Sequence, residues 1–116
     1  MKTKIVAGVK VPKNLYKFGL SSSYPNLEPD ENFNLDVIEK CIPAIDIYLA
    51  KSNSNKKHSS YQIKHWLEKG IGQYVSNGEA IVALIASGYK LDFPKDKRNP
   101  NPVFNLVLRQ NVLSPS

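Results

Sequence analysis

The sequence predicts an α+β fold, three helices followed by a small antiparallel β-hairpin, and three observations lead to it. Residues 59–71 and 76–87 each open on a serine set three positions before a glutamine or glutamate, and each closes near a glycine. Residues 35–51 carry apolar side chains at spacings of three and four. Beyond residue 88 the apolar period shortens from 3.6 to 2, ahead of a proline-rich loop.

At 116 residues the chain has room for one domain and one core. With 41% hydrophobic and 22% charged residues, wholesale disorder is not expected. No apolar run approaches the roughly 18 residues of a membrane span. The apolar stretch Ile5-Val6-Ala7-Gly8-Val9 is interrupted by Lys10 and Lys13, too early for a signal peptide. Cys41 stands alone, so no internal disulfide forms, and the cytoplasm is the expected address. Residues 1–30 read as a basic arm and linker, and 31–116 as a single helical domain.

Taken in order, Ile5, Ala7, Val9 and Val11 alternate as in a short strand that Pro12 would end, so residues 2–11 can add a third strand. Residues 19–34, with Gly19, Ser21-Ser22-Ser23, Pro25 and Pro29, read as a loop. The first helix, 35–51, has Asn34 as N-cap, Asp36 in its first turn, and a stripe of Leu35, Ile38, Ile42, Ile45 and Leu49. Pro43 inside it predicts a kink or two short helices.

The second helix begins at the Ser59–Gln62 capping box, buries Ile63, Trp66, Leu67 and Ile71, and exits at Gly70 and Gly72. The third begins at the Ser76–Glu79 box and buries Ile81, Leu84 and Ile85. Gly88 falls at its left-handed C-terminal position, with Leu84 and Tyr89 as the pair that packs in a Schellman ending. Tyr89, Leu91 and Phe93 alternate as a strand, residues 94–102 form a basic loop, and 103–108 return as a second strand.

Helix, helix, turn, helix, strand, basic loop, strand resembles the element order of winged-helix domains over residues 35–109, with 94–102 as the wing. Such a domain places its third helix in the major groove. Here Asn77–Ser87 contains no basic residue, and its remaining positions Asn77, Val82, Ala83 and Ala86 are small or apolar. That composition points to a helix that is buried or faces protein. The pattern Ser60-Tyr61-x-x-Lys64-His65-x-x-Glu68, then Tyr74-x-x-Asn77-Gly78-x-x-Ile81 and Gly88-Tyr89, resembles small uncharacterised proteins of bacterial plasmids and prophages. The resemblance implies a mobile-element protein that binds and does not catalyse.

Charge runs in three blocks. Residues 1–27 hold five lysines and no acid, 28–47 six acids against Lys40, and 48–116 ten basic and four acidic residues, giving the net +6. This layout suits a nucleic-acid or nucleoprotein partner, with Lys56, Lys57, Lys64, Lys95, Lys97 and Arg98 touching phosphates and reading no bases, and it equally suits an acidic segment that folds onto the chain's own basic arm. The rival expectation is a protein-interaction module, or an inhibitor of a host defence protein, acting through the third helix and Tyr61, His65 and Tyr74. Catalytic, metal and cofactor roles are not expected, nor is a membrane or small-molecule substrate. Cys41, His58 and His65 match no zinc spacing, and nothing brings Glu68 and Glu79 together as an acid–base pair.

Overall fold

The computed structural model describes residues 3–21, 33–52, 54–96 and 98–109. Most of the 19–34 loop therefore lies outside the described residues. Two small hairpins come first. Strands β1 (Thr3–Val6) and β2 (Val9–Pro12) pair antiparallel, as do β3 (Leu15–Tyr16) and β4 (Gly19–Leu20). The single strand expected across 4–11 is instead broken at Ala7-Gly8. Both residues have positive φ, 52° and 77°, the two-residue turn whose twist matches a hairpin. Val6 and Val11 turn inward while Ile5 stays exposed.

Helix α1 (Leu35–Tyr48) starts at Asn34, whose side chain accepts from the Val37 N–H, and runs without a break through Pro43. It buries Val37, Ile38, Cys41, Ala44 and Ile45. The stripe is thus rotated from the expected one, and Leu35 and Ile42 face outward. The helix stops at Leu49 because the chain becomes strand β5 (Leu49–Lys51). Strand β6 (Lys57–Ser59) leads into helix α2 (Ser60–Ile71). Ser59 caps α2 by accepting from the Gln62 N–H, but the Gln62 side chain meets His58 Nδ1 at 3.0 Å, so the box is half made. Gly70 lies inside α2 because a Cβ there would stand 2.5 Å from the Tyr48 ring, and Gly72 ends the helix at φ 74°.

Helix α3 (Asn77–Ala86) follows its sequence signals closely. The Ser76–Glu79 capping box is complete. Gly88 has φ 88°, Tyr89 N donates to Leu84 O at 3.0 Å, and Gly88 N to Ile85 O at 3.0 Å, the two bonds of a Schellman ending. Strand β7 (Leu91–Asp92) then pairs with β8 (Val103–Leu108), the hairpin expected around the basic loop. Strand β8 also pairs with β5 and β6, giving a four-stranded antiparallel sheet centred on it.

The winged-helix reading does not survive this arrangement. Strands β5 and β6 separate α1 from α2 and join the hairpin in one sheet, and two further hairpins precede α1. The third helix decides the matter. Every residue from Asn77 to Leu84 is buried, and α3 touches α1, α2, β2 and β4. A helix covered on all sides has no face left for a DNA groove or a protein partner. It is the core. Residues 3–21 share that core through Val6, Val11, Leu15 and Leu20.

One buried acid ties these parts together. Glu79, 1% exposed, accepts from Ser76 N at 3.3 Å and from Asn34 N at 2.7 Å, with the Lys17 ammonium 3.8 Å away. Its carboxyl thus serves the α3 cap, the α1 cap and the β3–β4 turn. Gly78 permits the last contact, since a Cβ there would lie 2.0 Å from Tyr16 O. No helix among the described residues is long and apolar enough to cross a membrane.

Replacing Glu79 with Ala strands the buried Ser76 N–H and removes the acceptor of the Asn34 N–H, and should cost about 2–3 kcal/mol, read as a lower urea midpoint. Gly88→Val forces a branched side chain into the left-handed region, at about 1–2 kcal/mol. Its Cβ also meets Lys51 Nζ at 3.2 Å. A fall in Tm of about 5 °C or more in a thermal melt is the expected result.

Candidate nucleic-acid interface

Because β8 pairs with three strands, segments distant in sequence become neighbours. Lys51 ends β5, Lys57 begins β6, and Tyr89-Lys90 precede β7. They line two clefts of about 670 and 360 Å³ that share Lys51 and Tyr89. Arg109, just past β8, closes the larger one, and its Nε donates to Leu49 O at 3.0 Å.

Four cations, Lys51, Lys57, Lys90 and Arg109, thus face two carboxylates, Asp46 and Asp92. Lys57 pairs with Asp92. The Lys51 ammonium sits 5.6 Å from the Tyr89 ring centroid, at the C-terminal end of α3. That helix has no basic residue in its own last turn, so Lys51 supplies the positive charge its dipole favours. Burial pushes the Tyr89 phenol up, Arg109 opposes this, and Asp46 reinforces it. The Ser87 hydroxyl at the cleft wall is buried with no hydrogen-bond partner among the described residues.

The basic residues singled out from sequence meet different fates. Lys56 and Lys57 are exposed beside the clefts. Lys95 lines a separate cavity of about 290 Å³ with Asn14, Phe93 and Asn99. Arg98 folds back onto Asp96 at 3.3 Å, and the Arg98 amide and side chain hold that carboxyl below its ordinary range. Lys97 lies outside the described residues. Lys64 is not a surface lysine: only 7% exposed, it bonds Glu68 at 3.2 Å on the adjoining helical turn.

Around that buried lysine the structure gathers all three residues singled out for a partner. The Lys64 ammonium lies 4.7 Å from the Tyr74 ring centroid and 5.7 Å from that of Tyr61. Tyr61 meets His65 edge-on at 4.7 Å. Glu68 joins the group, accepting from His65 Nδ1 at 3.1 Å and from Val75 N at 3.2 Å. Partial burial pushes the Glu68 carboxyl up, but the Val75 amide, the Lys64 ammonium and the nearby His65 outweigh it and hold it below its ordinary value.

Lys51, Tyr89, Lys90 and Arg109 were not singled out from the sequence. Lys51 and Lys90 lie in basic segments that were legible there. Tyr89 was placed from sequence only as the Schellman partner of Leu84 and a strand residue, Arg109 carries no local signal, and only the tertiary structure brings the two to one cleft. Chemistry at Cys41 is unfavourable. Burial, reinforced by Glu79, pushes its thiol up to about 12, away from a reactive thiolate. Among the described residues no group of three His, Cys, Asp or Glu side chains stands together as a metal site. Comparison with family models, curated proteins and solved structures finds no match.

Since the folded Glu68 carboxyl sits below its ordinary 4.5, the unfolded chain binds more protons in the window between the two values. The stability Glu68 contributes is therefore complete above 4.5 and drains away as pH falls through the folded value. Glu68→Gln should lower the urea midpoint near neutral pH, and the gap to wild type should close in acid. A gap independent of pH would remove the carboxylate from this role.

Proposed function

We propose that this chain is a small, basic, non-enzymatic protein that binds nucleic acid through the phosphate backbone, without reading bases. Its similarity in pattern to plasmid and prophage proteins makes a mobile-element accessory the accompanying proposal. The observation that carries the reading is the convergence of Lys51, Lys57, Lys90 and Arg109 on two connected clefts. Phosphate oxygens accept from such groups with little regard to sequence. With α3 in the core, the helix that the element order would have sent into a groove is enclosed, so discrimination between sequences is expected to be small. Non-specific affinities of about 10⁻⁴–10⁻⁶ M at physiological salt are the natural scale.

A second reading, a protein-interaction or inhibitory module, draws on the clustering of Tyr61, His65 and Tyr74 on one surface. Salt separates the two. Phosphate-driven binding weakens steeply between about 50 and 200 mM salt, whereas a protein interface made of rings changes little.

Fluorescence anisotropy with a labelled random duplex and a random single strand, at both salts, tests the proposal. Binding should collapse at the higher salt, and Lys57→Ala and Lys90→Ala should each reduce the salt slope by roughly one. Absence of binding to either strand at low salt would overturn it.

A further inference from the structure

The face of α2 that turns away from the core carries an unusual density of rings. His58, Tyr61, His65, Trp66 and Tyr74 all lie within it or on its edges. His58 and Trp66 meet at 5.0 Å, and Tyr61 and His65 at 4.7 Å. Tyr61 and Tyr74 are 52% and 65% exposed, while the Lys64 ammonium that both rings contact belongs to a residue only 7% exposed. The cation therefore approaches both rings from a buried position, while both tyrosines stay more than half exposed.

We infer that this face is a base-stacking surface and that the nucleic acid this protein takes is single-stranded. The inference rests on the proposed function and names its substrate class. Three features lead from the rings to unpaired bases. A duplex hides the faces of its bases inside the stack, whereas a single strand offers them to any accessible aromatic ring. An ammonium beneath a ring draws electron density from it, and the outer face then stacks better on an electron-rich base. The rings are also held in place beforehand. Glu68 fixes Lys64, His65 and the Val75 amide, so the Tyr74 loop is tied to α2 and little ordering is left to cost affinity.

Charge and composition favour this occupant over a protein. Lys56 and Lys57 stand on the segment that enters α2, within a few residues of Tyr61, where phosphates of a stacked strand would run. The exposed positions of α2 are Tyr61, Gln62, His65 and Lys69, with no aliphatic side chain among them. A protein-binding patch has an apolar, charge-depleted centre. Here the exposed side chains beside the rings are Gln62, His65 and Lys69.

The test compares a labelled random single strand with the duplex of equal length, by anisotropy at about 50 mM salt. Wild type is set beside Tyr61→Ala/Tyr74→Ala and Tyr61→Phe/Tyr74→Phe. Wild type should prefer the single strand. The alanine pair should lose about tenfold or more of that affinity, with duplex affinity unchanged, and the phenylalanine pair should keep it because the ring face remains. Tyr74→Ala alone, in the loop after α2, serves if the double variant loses its helical circular-dichroism signal.

If both strands bind equally and the alanine pair changes neither, the stacking surface is overturned while the basic clefts stand, and the rings fall to a protein partner. If neither strand binds wild type, the proposed function itself fails.

Discussion

A carboxyl group taken out of water is costly to the fold unless donors surround it, and Glu79 shows how a small protein turns that cost into order. Its two oxygens serve the backbone N–H of Ser76 and of Asn34, and the Lys17 ammonium approaches one of them. Three segments that share no sequence neighbourhood are thereby held at fixed positions. The start of α1, the start of α3 and the β3–β4 turn all close on one side chain. Gly78 completes the junction, because the turn carbonyls approach the helix where any Cβ would stand. Asn77 adds a bond from Nδ2 to Phe18 O at 3.0 Å and another to Asn101 Oδ1 at 2.7 Å. The N-terminus of α3, a type of site that attracts anions, is filled by the Lys17 carbonyl, which accepts from Gly78 N at 2.7 Å, and by the Ser76 hydroxyl.

With α3 held this way, the rest of the molecule is arranged around a buried helix, and the clefts and the ring-lined face of α2 lie at its periphery. Strand β8 does for the sheet what Glu79 does for the helices. Its first residues pair with β6 and β7 and its last with β5, so lysines from three separate segments meet around Tyr89. The same geometry separates the clefts from the ring-lined face of α2, joined to them through the β6 strand.

Burial decided which charged residues belong to the surface. Lys57 and Lys64 are both lysines in a basic stretch, seven residues apart. Lys57 is exposed on a strand, but Lys64 falls on the inner side of α2, where its ammonium is satisfied by Glu68 and two tyrosine rings. Its charge therefore organises a surface and is not offered to a ligand. Lys51 likewise has a structural task at the end of α3 as well as a place in the cleft.

Local signals in the chain were enough to specify α2 and α3, with the full capping box formed at α3 and only its Ser59 half at α2, since such signals act within a few residues. The turn of period from 3.6 to 2 after Gly88 was equally legible, and the β7–β8 hairpin formed where it pointed. Order of elements did not determine how they assemble. Strands β5 and β6 are three residues each, too short to carry a period, and exist because β8 pairs with them. The break at Ala7-Gly8 was hidden because alternation reads the same along one strand or around a two-residue turn. For α3, apolar positions on nearly every side marked a buried helix, yet the likeness in element order pointed outward to a groove. The tertiary structure resolved that conflict by enclosing it, and the partners of Glu79, the clefts around Tyr89 and the fate of Lys64 all depend on contacts between residues far apart in the chain.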